Sequence, residues 1–118
     1  MLGYVEGFVI PIKRKNMREY KKLALWGRRV WMKHGAVSYY ECFVDDFTQH
    51  GLGFKKMCKL KSGETAIFAF IIYRSKAHRN QVYKGVKKEM DKFKNPPKMP
   101  FDMKRFSMAG CKVLVRSK

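Results

Sequence analysis

Side chains able to bind a small molecule or move a proton are few and scattered in this chain. It has 3 His and 3 Cys among 118 residues: His34, His50 and His78, and Cys42, Cys58 and Cys111. Neither set has the close spacing of metal ligands. The cysteines, odd in number and without a C-x-x-C pair, read as reduced thiols rather than a disulfide framework. Gly51 and Gly53 lack the G-K-[ST] that grips phosphates, and no G-x-S-x-G elbow presents a serine nucleophile. No motif calls for a metal, a cofactor or a particular reaction. The polar residues that remain as candidates for a ligand site are His34, Tyr40, Glu41, His78, Asp102 and Arg105. Each also has a plainer role open to it. His34 suits a helix end, where an imidazolium favours the carbonyl dipole. Tyr40 suits packing, and Glu41 or Asp102 suits an ion pair with Arg74 or Arg105.

Base stacking is the second kind of chemistry to weigh. Phe68-Ala69-Phe70-Ile71-Ile72-Tyr73 matches the last six positions of the third-strand signature of RNA-recognition motifs, whose alternate aromatics stack on bases. Tyr4 is the aromatic that a first strand would add. Ala66 and Ile67 stand where the signature wants a basic residue and a glycine, so a buried apolar strand is the simpler account of the run. Charge bears on the same alternative. With 27 Lys and Arg against 9 Asp and Glu, the formal net charge is +18. Such a field attracts polyanions, nucleic acid among them, without selecting a sequence; solvated surface explains the same cations without a partner. They are spread over both halves and form no basic tail.

A content of 46% hydrophobic and 14% aromatic residues excludes a disordered chain, and the length suits a single domain over residues 1–118. No apolar run approaches the ~20 residues of a membrane span, and no secretory address is visible, so a cytoplasmic protein without membrane contact is expected. Tyr4 to Ile12 reads as a strand ending at a proline, with Gly7 marking a bulge or a close approach. Asn16 with Glu19 offers a capping box to a long amphipathic helix that Gly35 ends. Ala36 to Asp46 reads as a second strand and Phe47 to Ser62 as an irregular arm. Glu64 to Tyr73 is the central strand. Ser75 caps a second helix with an inner face of Val82, Val86, Met90 and Phe93, stopped by Pro96, Pro97 and Pro100. A last strand falls within Phe106 to Val115, with Leu114 on one of its faces and Val113 and Val115 on the other. The order is β-α-β-β-α-β, the ferredoxin-like α+β plan with both helices on one face of an antiparallel sheet. Phe68, Phe70 and Ile72 then leave the other face apolar and in need of a partner.

With the elements placed, the chain resembles the YbaA-like family of small uncharacterised bacterial proteins, domain of unknown function 1428. The matching stretches are Tyr4-Val5-Glu6-Gly7-Phe8-Val9, Trp31-Met32-Lys33-His34-Gly35-Ala36, Tyr40-Glu41-Cys42 with Asp45-Asp46, Tyr73-Arg74-Ser75 with His78-Arg79, and Met99-Pro100-Phe101-Asp102-Met103-Lys104-Arg105. The resemblance implies a homodimeric α+β barrel, two protomers facing their sheets together. It implies no reaction. Proteins of this architecture place a mostly apolar cavity between helix and sheet, which the six polar candidates above would enter. The segment Met99 to Arg105, stiffened by Pro100 and anchored by Phe101, is expected to serve such a site more than the core.

Overall fold

The structure, a computed structural model, describes residues 3–48, 50–96 and 98–118. Pro97, one of the three prolines expected to stop the second helix, lies outside the described residues. The elements are β1 (Tyr4–Lys13), α1 (Met17–Lys33), β2 (Ser38–Phe43), α2 (Gly53–Met57), β3 (Glu64–Tyr73), α3 (Lys76–Met90) and β4 (Ser107–Lys112). The strands form one antiparallel sheet in the order β2-β3-β1-β4, the ferredoxin-like α+β arrangement.

Register decides which face each strand residue takes. Tyr4 pairs with Tyr73, Phe8 with Ala69 and Ile10 with Ile67. Because strand side chains alternate, Tyr4, Glu6, Phe8, Ile10 and Ile12 share the helix-covered face with Thr65, Ile67, Ala69, Ile71 and Tyr73. The opposite face carries Val5, Gly7 and Val9, Phe68, Phe70 and Ile72, Tyr40 and Cys42, and Ala109 and Cys111. Under the helices the core falls into two clusters. At one end Val30 of α1 and Val82 and Val86 of α3 pack on Tyr4, Ile71 and Tyr73. At the other, Tyr20 of α1 packs on Ile10, Ile12, Ile67 and Ala69, and the cover opposite α1 is a loop bearing Phe101 and Phe106 rather than a helix. Each fully buried valine or isoleucine contributes about 1.5–3 kcal/mol.

Local chemistry fixes the ends of these elements. Gly35, at φ +106°, closes α1: the Ala36 N–H donates to the Trp31 carbonyl and the Gly35 N–H to that of Met32, both at 3.1 Å, a pairing that needs a left-handed residue. Ser75 caps α3 by accepting from the His78 N–H at 3.0 Å. Asn16 does not cap α1 with its side chain. A 3-10 turn over Arg14–Asn16 leads into the helix, and Asn16 Nδ2 donates instead to the Pro100 carbonyl at 3.3 Å.

Four further expectations change. β1 runs through Pro11 to Lys13; its pairing with β4 stops at Val9 and Ser107, so the missing proline N–H costs no ladder bond on that side. Gly7 pairs in regular register with Phe70 and Ala109 and has open space at its Cβ, so it makes neither a bulge nor a close approach. The arm after β2 contains the one-turn helix α2. β4 is an exposed edge that ends at Lys112, leaving Leu114 and Val115 outside the sheet and in solvent.

Candidate functional site

A cavity of about 190 Å³ lies between α1 and the sheet, where α3 gives way to the loop beyond it. Its wall is almost wholly apolar and aromatic, with Phe8, Ile10, Leu23, Trp26, Trp31, Ala69, Ile71, Met90, Met99, Phe101 and Phe106. The polar exception is Glu41 with the two phenols that hold it. Tyr20 of α1 donates its hydroxyl to Glu41 Oε1, and Tyr39, on the same face of β2, donates to Oε2 at 2.6 Å. The alternation of β2 puts Tyr39 and Glu41 under α1 and turns Tyr40 away.

Space for this clamp comes from Gly27. A Cβ there would stand 2.5 Å from the Tyr39 hydroxyl, which is why a residue costly in a helix interior sits in the middle of α1. Burial raises the pKa of both phenols well above the usual tyrosine value, and the Glu41 charge and hydrogen bonds raise it further. They therefore remain neutral donors across the accessible pH range. Glu41, Tyr20 and Tyr39 also line a groove of about 470 Å³ at the α1–β2 edge, with Lys21 and Arg28 beside it. On the far side, Leu23, Trp26, Met90 and Met99 are shared with a groove of about 570 Å³ between α1 and the end of α3. Trp31, on the same wall, has its Nε1 buried with no acceptor in hydrogen-bonding geometry.

Of the six polar candidates, Glu41 alone lines the cavity. Tyr40 is 52% exposed on the open face and stacks on Phe70 at 5.0 Å. His34 caps α1 and lies with its ring against Gly85 of α3, at the seam between the helices. His78, in the first turn of α3, accepts from the Arg74 N–H at 3.0 Å and packs edge-on to Tyr73. Asp102 and Arg105 turn to the other side of their loop. There Arg105 grips Glu64 with Nη1 at 2.7 Å and Nη2 at 2.6 Å, donates Nε to Asp102 at 2.9 Å, and reaches the Lys59 carbonyl at 3.0 Å. Arg105 holds the Glu64 carboxyl down to about 2 and also lowers that of Asp102. Phe101, by contrast, faces the cavity and stacks on Phe106 at 5.7 Å. The segment thus gives Met99 and Phe101 to the cavity wall and Arg105 to an ion pair, while Asp102 and Arg105 line a separate groove of about 570 Å³ beside the end of β1.

Tyr20 and Tyr39 were not among the candidates. Their signal was the partnership with Glu41: one comes from a helix and one from a strand, and only tertiary packing joins them.

The nucleic-acid alternative loses one of its three residues. Phe68 and Phe70 are on the open face, in an aromatic row that runs from Tyr40 to Phe70, Phe68 and Phe54 at centroid spacings of 5.0, 5.9 and 6.4 Å. Tyr4 is on the helix-covered face, buried, with the Arg79 guanidinium 5.2 Å from its ring. Its parity in β1 is opposite to that of Phe68 in β3, so β1 supplies Val5, Gly7 and Val9 to the open face and no aromatic. A second buried acid, Glu6, pairs with Arg79 at 2.8 Å and accepts from the Tyr73 hydroxyl at 3.2 Å. Among the described residues, no group of three His, Cys, Asp or Glu side chains is placed to hold a metal ion. No described helix is long and apolar enough to cross a membrane.

A solved structure shares this fold. A dimeric ferredoxin-like protein from an uncultured marine organism is similar over 99% of this chain and 100% of its own, with a TM-score of 0.60 and 14% identity. The de novo designed protein Foldit4 is similar over 97% of this chain and 99% of its own, with a TM-score of 0.48 and 13% identity. No curated protein matches the sequence. The family model described as "Protein of unknown function (DUF1428)" matches residues 3–103, and the chain belongs to that family.

Proposed function

We propose that this protein is a single-domain homodimer joined through its open sheet faces, each protomer holding a small, largely apolar ligand between α1 and the sheet. The observation that carries the ligand reading is the cavity itself, an aromatic chamber with one carboxylate centre on its wall. Sites of this kind combine apolar walls with a few placed polar groups. The dimer is supported by the apolar composition of the open face, where Phe68 is 41% exposed beside Phe70 and Tyr40, and by the dimeric state of the ferredoxin-like neighbour. Three thiols without disulfides accord with a cytoplasmic setting.

Toluene titration followed by thermal melting tests the ligand reading. Binding to the native state raises the melting temperature in proportion to occupancy. Ala69→Leu, which fills the chamber from β3, is expected to remove the effect. A melting temperature indifferent to toluene in the unsubstituted protein counts against the cavity.

A further inference from the structure

We propose that the cavity takes a small primary amine carried on a flat apolar body, with its ammonium group seated against the Glu41 carboxylate. This rests on the ligand reading above and adds the chemistry of the ligand to it. In a chain of 27 cationic side chains and 9 acidic ones, an acid under cover is expected to find a cation. Glu6 has Arg79 at 2.8 Å and Glu64 has Arg105 at 2.6 Å. Glu41 is the exception: among the described residues no cation lies within ion-pair distance of it, although Lys21 and Arg28 line with it the groove at the α1–β2 edge. Its partners are two neutral phenols, one on each oxygen. Those hydroxyls are spent on the carboxylate, so what faces a ligand there is an acceptor that needs a donor. A carboxylate has about four lone-pair sites and the phenols occupy two.

The surrounding wall favours a cation further. Ring faces carry negative potential and attract ammonium groups, more strongly where water is displaced. Tyr20, Tyr39, Trp26 and Trp31 supply such rings on the same wall. A ligand carboxylate would meet Glu41 as a like charge and is disfavoured.

The test uses the full chain and four probes of one shape: benzylamine, benzyl alcohol, toluene and benzoate, titrated by calorimetry at neutral pH. Charge-assisted hydrogen bonds exceed neutral ones by enough to give benzylamine about tenfold tighter binding than benzyl alcohol. Benzoate is expected to give no heat. In Glu41→Gln the amine should fall to parity with the alcohol while toluene binds as before; the ranking in the unsubstituted protein needs no variant and stands if Glu41→Gln fails to fold. Parity of amine and alcohol in the unsubstituted protein, an amine preference that survives Glu41→Gln, or binding of benzoate overturns the amine inference and leaves the cavity intact. Failure of all four, toluene included, overturns both.

Discussion

When Arg105 donates both terminal nitrogens to Glu64, it neutralises a side chain only 3% exposed at the foot of β3. Removing the guanidinium would leave that charge buried without a partner, a loss of about 3–5 kcal/mol in comparable pairs. Arg105→Met is therefore expected to lower the denaturant midpoint severely. Asp102→Asn, at the more exposed end of the same network, should lower the midpoint only slightly. Acid should act at the same place. Because the folded carboxyl of Glu64 is held near 2 against an ordinary 4.5, this stability is present above pH 4.5 and is lost as the pH falls toward 2. Urea midpoints at pH 6 and pH 3 should separate in the unsubstituted protein and converge in Arg105→Met. Of this network the sequence reading held only the Asp102 and Arg105 pair, three residues apart. Glu64 lies 41 residues away, and no periodicity links a strand's first residue to a loop that distant. Glu41 was legible as a polar residue on a strand, but its two phenol partners depend on how α1 crosses β2.

At the level of elements, α1 gives up helix propensity at Gly27 to admit the Tyr39 hydroxyl. Gly27→Ala should gain about 1 kcal/mol of intrinsic propensity and lose more, since the added carbon displaces the phenol and strips Glu41 of a donor. A lower melting temperature checks this. A rise in stability would mean that Tyr39 moves aside freely. Strands and helices themselves were readable: a continuous apolar run marked β3, and Gly35 and Ser75 punctuated the helices as their backbone chemistry requires. The face of Tyr4 was not. Tyr4 and Phe68 differ in parity only through the β1–β3 register, and both strands are apolar on either side, so composition gave no clue to the pairing. The cap at Asn16 failed for a related reason, since its amide has a tertiary partner in the Pro100 carbonyl.

For the whole molecule, the expected dimer would bury the row of Tyr40, Phe70 and Phe68. Light scattering at micromolar concentration should give twice the chain mass, and Phe70→Glu should give one chain mass with the fold retained by circular dichroism. A monomer in the unsubstituted protein would leave those rings free and return attention to stacked bases. Nucleic-acid binding would then have to persist at high salt, whereas binding by net charge alone falls with a slope near −0.9 per duplex phosphate neutralised. The partial pairing of β1 has a consequence of a different kind. Where β4 stops at Ser107, β1 continues with no strand paired on that side, the kind of border along which sheets of separate molecules fuse once it is uncovered. Pro11 interrupts the donors along that border, and Phe101 and Phe106 pack against Ile10 and Ile12 beneath it. The clasp between Arg105 and Glu64 fastens that same loop, so its failure in acid would uncover a sticky margin as well as unfold a corner. Loss of the clasp should therefore surface first as turbidity.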